Sequence, residues 1–247
     1  LSNRSLRILK IGGAVITDKT KGVTNRAKME EIRRIAEEIS RIPDRLILVH
    51  GVGSFGHPHV EKYDLLHRVH PLGLAETHAS CRELNLMICR ELMARGVPAI
   101  SVSPFNAFSI ENDRFTVPLE LIQQLVDNGM VPVLHGDMVA GDGQYRVISG
   151  DKIVEMLANG LGADRVGFAT DTPLLIEDKV MDELSREELQ KILDKIGDAG
   201  NKSDVTGGMR GKLEAILRIG CEVAVFQANP GAIEKFLRGE RVGTIIR

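Results

Sequence analysis

The chain has 247 residues, of which 43% are hydrophobic, 27% charged and 4% aromatic, and its formal net charge is −2. A near-neutral chain of this length builds a substantial core, offers no long-range attraction to nucleic acid or an anionic membrane, and with no Trp has few platforms for stacking bases. Cys81, Cys89 and Cys221 form no C-x-x-C pair, so neither a thiolate metal site nor a disulfide framework is expected. No apolar run reaches the ~18 residues of a membrane span and the N-terminus carries no signal-peptide pattern, so the expected setting is cytoplasmic.

In chain order, Leu6–Ile11 reads as a buried strand ending in Gly12-Gly13, with Lys10 at its end and Lys19 in the loop that follows. Asn25 is predicted to cap a helix to about Arg41, because Met29, Ile32, Ile35, Ala36 and Ile39 recur at helical spacing. Leu46–His50 is a second buried strand. It delivers Gly51-Val52-Gly53-Ser54-Phe55-Gly56-His57, a glycine turn closing on a histidine. Pro58 opens a short helix, residues 60–73 read as irregular, and Glu76–Arg95 is a long helix closed by Gly96. Strands are predicted at Val97–Val102 and Val131–His135, with a helix from Pro118 to about Asn128 between them.

After Gly136-Asp137 the rhythm changes. Met138–Ile148 reads as a hairpin, then Ser149-Gly150-Asp151 leads into a helix over Lys152–Leu161. Arg165–Ala169 is a strand ending in Thr170-Asp171, and Leu174–Met181 a second hairpin. Ser185 to Glu188 is a capping box opening a helix to about Ile196, and 197–204 reads as a mobile loop. Val205-Thr206-Gly207-Gly208-Met209 opens a helix to Ile219. A strand Cys221–Phe226, a helix Pro230–Leu237 and a strand Val242–Ile246 complete the chain. This alternation predicts one α/β domain, a mostly parallel sheet with helices on both faces, in two lobes of about 1–164 and 165–247 that share the sheet.

A parallel sheet gathers its strand ends along one edge, so glycine turns after several strands converge on one ligand site. Gly51–Gly56 matches G-x-G-x-x-G, yet the next strand ends in Val102-Ser103-Pro104 with no acid for a ribose, which argues against a nicotinamide or flavin cofactor. The P-loop pattern fails as well: Leu213 follows Gly211-Lys212, and Thr206 stands where its first glycine belongs. What remains is glycine turns accompanied by Lys10, Lys19 and Lys212, a set suited to neutralising charge during phosphoryl transfer. His57 directly follows a turn and can face its ligand, whereas His50, at a strand end, reads as structural.

Lys10-Ile11-Gly12-Gly13, His50–His57, Ile148–Asp151, Thr170-Asp171 and Asp204–Met209 with Lys212 stand in the order seen in the amino acid kinase superfamily, which the chain resembles over nearly its whole length. The Gly53–His57 block resembles the isopentenyl phosphate kinases, a family of archaeal type tied to an alternative mevalonate route to isoprenoids. The resemblance implies a three-layer αβα sandwich of amino acid kinase type, an acceptor-phosphate lobe before about 165 and a nucleotide lobe after it. It implies ATP and Mg2+ as cofactors, Mg2+ held mainly through the ATP phosphates, and a homodimer. Lys10 with Gly12 and Gly13 is expected to hold the ATP phosphates, Lys19 the migrating phosphoryl group and His57 the acceptor phosphate. Val52, Gly53 and Ser54 are expected to donate between the two phosphates, Gly150 to line the acceptor site and Asp151 to orient the lysines. Asp171, Gly208 and Lys212 are expected on the nucleotide side.

Three departures from the family pattern stand out: Ala14 in place of a serine, Val52 in place of a glycine, and Thr172-Pro173 after Thr170-Asp171. The tail pocket is expected between the Glu76–Arg95 helix and residues near 105–130. The alternatives are a kinase for another small phosphate or phosphonate, of fosfomycin-kinase kind, and a non-catalytic nucleotide-binding protein on the same fold.

Overall fold

A computed structural model describes residues 5–176, 179–198 and 208–247. In chain order its elements are β1 (Arg7–Ile11), α1 (Gly13–Ile16), α2 (Met29–Ser40), β2 (Leu46–His50), α3 (His57–Tyr63), α4 (Pro71–Met93), β3 (Ala99–Ser101) and α5 (Pro104–Ala107). Next come β4 (Ser109–Glu111), β5 (Arg114–Thr116), α6 (Leu119–Asp127), β6 (Val131–His135), β7 (Asp137–Gly141), β8 (Gln144–Ile148) and α7 (Gly150–Leu161). The last third holds β9 (Arg165–Thr170), β10 (Leu175–Ile176), β11 (Lys179–Val180), β12 (Glu183–Leu184), α8 (Arg186–Asp198), α9 (Gly208–Arg218), β13 (Glu222–Gln227), α10 (Ala232–Leu237) and β14 (Thr244–Ile246). A single-turn 3-10 helix spans Gly53–Phe55.

The main sheet has eight strands in the order β12-β14-β13-β9-β1-β2-β6-β3, parallel throughout except where β13 meets β14. Its strands are apolar on both faces, as a sheet covered on both sides requires. Ile8, Ile47, Val49, Val166 and Phe168 face one core with α6, α7, α8 and α9. Leu9, Ile11, Leu46, Leu48 and Ala169 face the other with α2, α4 and α10. This is the three-layer αβα sandwich. No helix among the described residues is long and apolar enough to cross a membrane.

The first strand lies mid-sheet, between β2 and β9, which makes the β1–β9 boundary a topological switch point. Register aligns the strand ends there: Ile11 pairs with His50 and with Ala169, and His50 pairs with His135. The glycines that follow complete the ladder, Gly12 N–H donating to Ala169 O and Gly51 N–H to Ile11 O, both at 2.8 Å. The chain then leaves the sheet at one common level.

Several expectations need correction. Asn25 caps no helix; its φ is +52° and α2 begins later, at Met29. The Asn25 side chain instead accepts from Ser80 Oγ at 2.7 Å and lies 3.1 Å from His59 Nε2, tying the loop to α3 and α4. Residues 60–73 are not irregular throughout. They hold the end of α3, which Asp64 stops at φ +52°, and the start of α4, where Pro71 is in the first turn and the His70 ring accepts from Gly73 N–H at 3.0 Å. Tyr63 packs so closely on Gly73 that a Cβ there would lie 2.5 Å from the ring; no single period runs through the stretch because it spans two helices and the turn between them.

Helix α7 starts at Gly150, with Ser149 as its cap, rather than at Lys152. The β4–β5 hairpin was not predicted, although Asn112 and Asp113 both adopt positive φ, as a tight hairpin turn demands. The Ser185 capping box is present: Glu188 Oε2 accepts from Ser185 N–H at 2.8 Å and Ser185 Oγ from Glu188 N–H at 3.2 Å. The loop expected at 197–204 falls on the end of α8 and, from 199 on, outside the described residues, as do Val205, Thr206 and Gly207.

Candidate active site

The aligned strand ends open into a cleft of about 250 Å3. Its walls bring together Lys10, Gly12, Gly13, Lys19, Val52, Gly53, His57, Gly150, Asp151, Asp171 and Lys212, residues from the whole length of the chain. Of the predicted site residues, Ser54 is not on the wall. Ser54 is buried beneath it: its N–H donates to Thr17 Oγ1 at 3.2 Å and its hydroxyl is engaged by the Arg26 backbone. Gly208 is the first residue of α9, one turn before Lys212.

The two N-terminal glycine turns meet without side chains between them. A Cβ on Gly13 would stand 2.6 Å from Gly53 N, and one on Gly51 would stand 2.5 Å from Gly13 N. Gly53 has φ +45°, and a Cβ there would meet Thr17 Oγ1 at 1.9 Å. Thr17, which sequence reasoning did not single out, joins the turns: its buried hydroxyl donates to Gly13 O at 2.7 Å and accepts from Ser54 N–H. Val52 raises no strain, with φ −95° and ψ −17°. Its side chain lies over Gly56, where an added Cβ would be 2.3 Å from Val52 Cγ2.

The charges are concentrated on one side. Lys10 is nearly buried at the end of β1 and pairs with Asp151 Oδ1 at 2.8 Å, in the first turn of α7. Burial pushes the Lys212 ammonium below its ordinary pKa and Lys10 lowers it further, while Asp151 and Asp171 oppose the shift. Lys19 is exposed, beyond the Thr17–Ala27 bridge. Ala14 lines the same side, its carbonyl accepting from Lys28 Nζ at 2.8 Å.

The rest of the lining is mainly apolar, Val52, Val60, Cys81, Met138, Val147 and Ile148, with Thr77 and Asp137 among them. The α4 wall was expected. The facing wall is the β7–β8 hairpin, not residues 105–130; Phe105 packs one layer behind it. His57, the first residue of α3, is on the cleft wall with both groups. The arrangement thus offers clustered cations, a hydrogen-bonding glycine saddle and a short hydrocarbon surface in one cleft.

A profile of the Amino acid kinase family matches residues 5–223. The chain is 36% identical to the isopentenyl phosphate kinase of Methanocaldococcus jannaschii, over 98% of each chain. It is 34% identical to that of Haloferax volcanii, over 98% of this chain and 99% of the other. An X-ray structure of an isopentenyl phosphate kinase superposes with a TM-score of 0.80 at 30% identity, covering 98% of this chain and 100% of that one. The chain therefore belongs to the amino acid kinase family and, within it, to the isopentenyl phosphate kinases.

Proposed function

We propose that the protein transfers the γ-phosphoryl group of ATP to isopentenyl phosphate, giving isopentenyl diphosphate and ADP. The observation that carries this reading is the cleft itself, whose lining joins Lys10, Lys19 and Lys212, the Gly51–Gly53 saddle and His57 with an apolar group that includes Val60, Met138 and Val147. An acceptor with a phosphate head and a short hydrocarbon tail matches that combination of surfaces.

The acceptor is a phosphate monoester with a second pKa of ~6, so its attacking oxygen carries no proton to remove at neutral pH. It attacks the γ-phosphorus in line, the bond from that phosphorus to the β–γ bridging oxygen breaks, and ADP leaves with the electron pair. Little is asked of the protein beyond positioning and charge neutralisation. Lys10 and the Gly12-Gly13 backbone hold the ATP phosphates, Lys19 meets the migrating group, and His57 donates to the acceptor phosphate. Val52 and Gly53 supply N–H donors between the two phosphates and Gly150 lines the acceptor side. Asp151 orients Lys10, while Asp171, Gly208 and Lys212 serve the nucleotide from the lobe that begins near 165. Mg2+ would accompany ATP, held mainly through its phosphates. A homodimer working in the cytoplasm completes the reading.

Incubation with Mg-ATP and a panel of isopentenyl phosphate, small phosphonates and carboxylates tests it. Diphosphate formed from isopentenyl phosphate with the highest kcat/KM is expected. Faster turnover of a phosphonate would overturn the acceptor, and no turnover with any acceptor would overturn the enzyme.

A further inference from the structure

Beneath the Gly51–Gly56 turn lies a polar cluster that this mechanism leaves unused. His50 and His135, at paired ends of β2 and β6, are fully buried, and their rings stack with centroids 5.6 Å apart. Asn85 of α4 is fully buried beside them.

One set of protons satisfies the contacts. Val133 O can only accept, and Asn85 Nδ2 lies 3.1 Å from it, which identifies the nitrogen end of the amide. The same Nδ2 lies 3.1 Å from His50 Nε2, so Nε2 accepts. The ring proton is then on Nδ1, which donates to Gly51 O at 3.0 Å. Burial first, then the neighbouring His135, pushes the His50 pKa down to about 3, with Lys10 acting in the same direction. The ring is therefore neutral as well as fixed in tautomer.

A trans peptide points its N–H opposite to its C=O. With Gly51 O drawn to the imidazole, the Val52 N–H is turned away from the buried cluster. It donates to no group among the described residues, and Gly51, Val52 and Gly53 all line the cleft. We infer that His50, held in one tautomer by Asn85, is a positioning residue that locks the Gly51–Val52 peptide with its N–H toward the phosphates. An apolar side chain fills the same volume without desolvating two polar groups, so simple packing does not account for the pair. His135 makes the same bond one strand over, Nδ1 to Gly136 O at 2.9 Å.

The inference rests on the phosphoryl-transfer reading of the cleft, and two measurements separate the two. First, kcat and KM are compared for wild type, His50→Asn and His50→Gln, with folding checked by thermal melting. Asn places its amide nitrogen near the position of Nδ1 and keeps the bond to Gly51 O; Gln places its nitrogen near Nε2 and loses it. Expected is a kcat for His50→Asn within about threefold of wild type and a fall of about 100-fold for His50→Gln, with KM for ATP little changed. Equal kcat in the two folded variants overturns the positioning role while leaving the activity standing. Second, 15N spectra of the labelled wild-type protein, with His50 assigned by its loss in His50→Asn, report the tautomer directly and need no turnover. A neutral Nδ1–H ring from pH 5.5 to 8.5 is expected; an Nε2–H ring, or titration within that range, overturns the inference even if the acceptor proves to be another compound.

Discussion

Lys10 Nζ lies 2.8 Å from Asp151 Oδ1, so the end of the central strand is tied to the first turn of α7 across the floor of the cleft. The pair is mostly shielded from water, which strengthens it and raises the cost of losing one partner. Asp151→Asn keeps the shape and removes the charge that offsets Lys10 and Lys212. Expected is a fall in kcat of about tenfold or more for Asp151→Asn and of about 10²–10³-fold for Lys10→Met, read from steady-state kinetics. Wild-type kcat in either variant would contradict the assignment.

Lys212 links charge to pH. Its pKa is lowered, burial being the largest cause, so on raising the pH the folded protein gives up this proton before the unfolded chain does. Between the folded pKa and the ordinary lysine value of 10.5 the unfolded state binds more protons, and the contribution of Lys212 to stability rises with pH there. Bound nucleotide phosphates favour the ammonium form. Nucleotide binding is therefore expected to take up a proton in that alkaline window, measurable by titration calorimetry in buffers of different ionisation enthalpy. Lys212→Met is expected to melt no lower than wild type, to weaken nucleotide binding, and to abolish the proton uptake.

Gly53 tests the contact between the turns. Gly53→Ala combines a positive φ with a Cβ 1.9 Å from Thr17 Oγ1, so the Thr17 bridge or the turn must move. A loss of about 2 kcal/mol or more is expected in denaturant unfolding, together with a collapse of kcat. Gly22→Ala also places alanine at positive φ but meets nothing within 4 Å, and is expected to cost only about 1 kcal/mol, with activity retained.

His57 is the test of acceptor recognition. Its removal as His57→Ala is expected to raise KM for isopentenyl phosphate and lower kcat by about 100-fold, with KM for ATP little changed. A variant with wild-type kinetics would show that the ring does not touch the acceptor.

Glu38 serves as a contrast, buried and not among the residues that line the cleft. Its Oε2 accepts from Ile233 N–H at 3.1 Å and Glu234 N–H at 3.2 Å at the start of α10, and Arg34 pairs with its other oxygen. Glu38→Ala leaves those two N–H donors and Arg34 Nη1 without their acceptor, while Glu31 and the Ala228 carbonyl still hold the rest of the guanidinium. Unfolding measurements are expected to show a loss of about 3 kcal/mol, with kcat per folded molecule unchanged.

The features legible in the residues are local ones. Strands β2 and β6 fall on their predicted bounds because a buried parallel strand is a continuous apolar run closed by a glycine. That Lys10, Lys212 and His57 line one cleft was legible because each adjoins a glycine turn, and a parallel sheet gathers such turns at one edge. Chemistry of phosphoryl type followed from residue kinds and spacing, and the family from the order of the motifs. Asn25 misled for a reason: at positive φ its side chain serves a tertiary contact with Ser80 instead of the helix beside it.

Everything that depended on two distant segments meeting waited for the fold. Thr17 between Gly13 and Ser54, the β7–β8 hairpin as the pocket wall, and Ser54 beneath the cleft rather than on it carry no mark in local sequence. His50 shows the division most clearly. At a strand end it reads as one more buried histidine, and only the approach of Asn85, 35 positions away, selects the tautomer that turns the Gly51 carbonyl inward. Periodicity and turn chemistry act within a few residues and are written along the chain. A proton's position depends on which acceptor is within 3.1 Å, and only packing decides that.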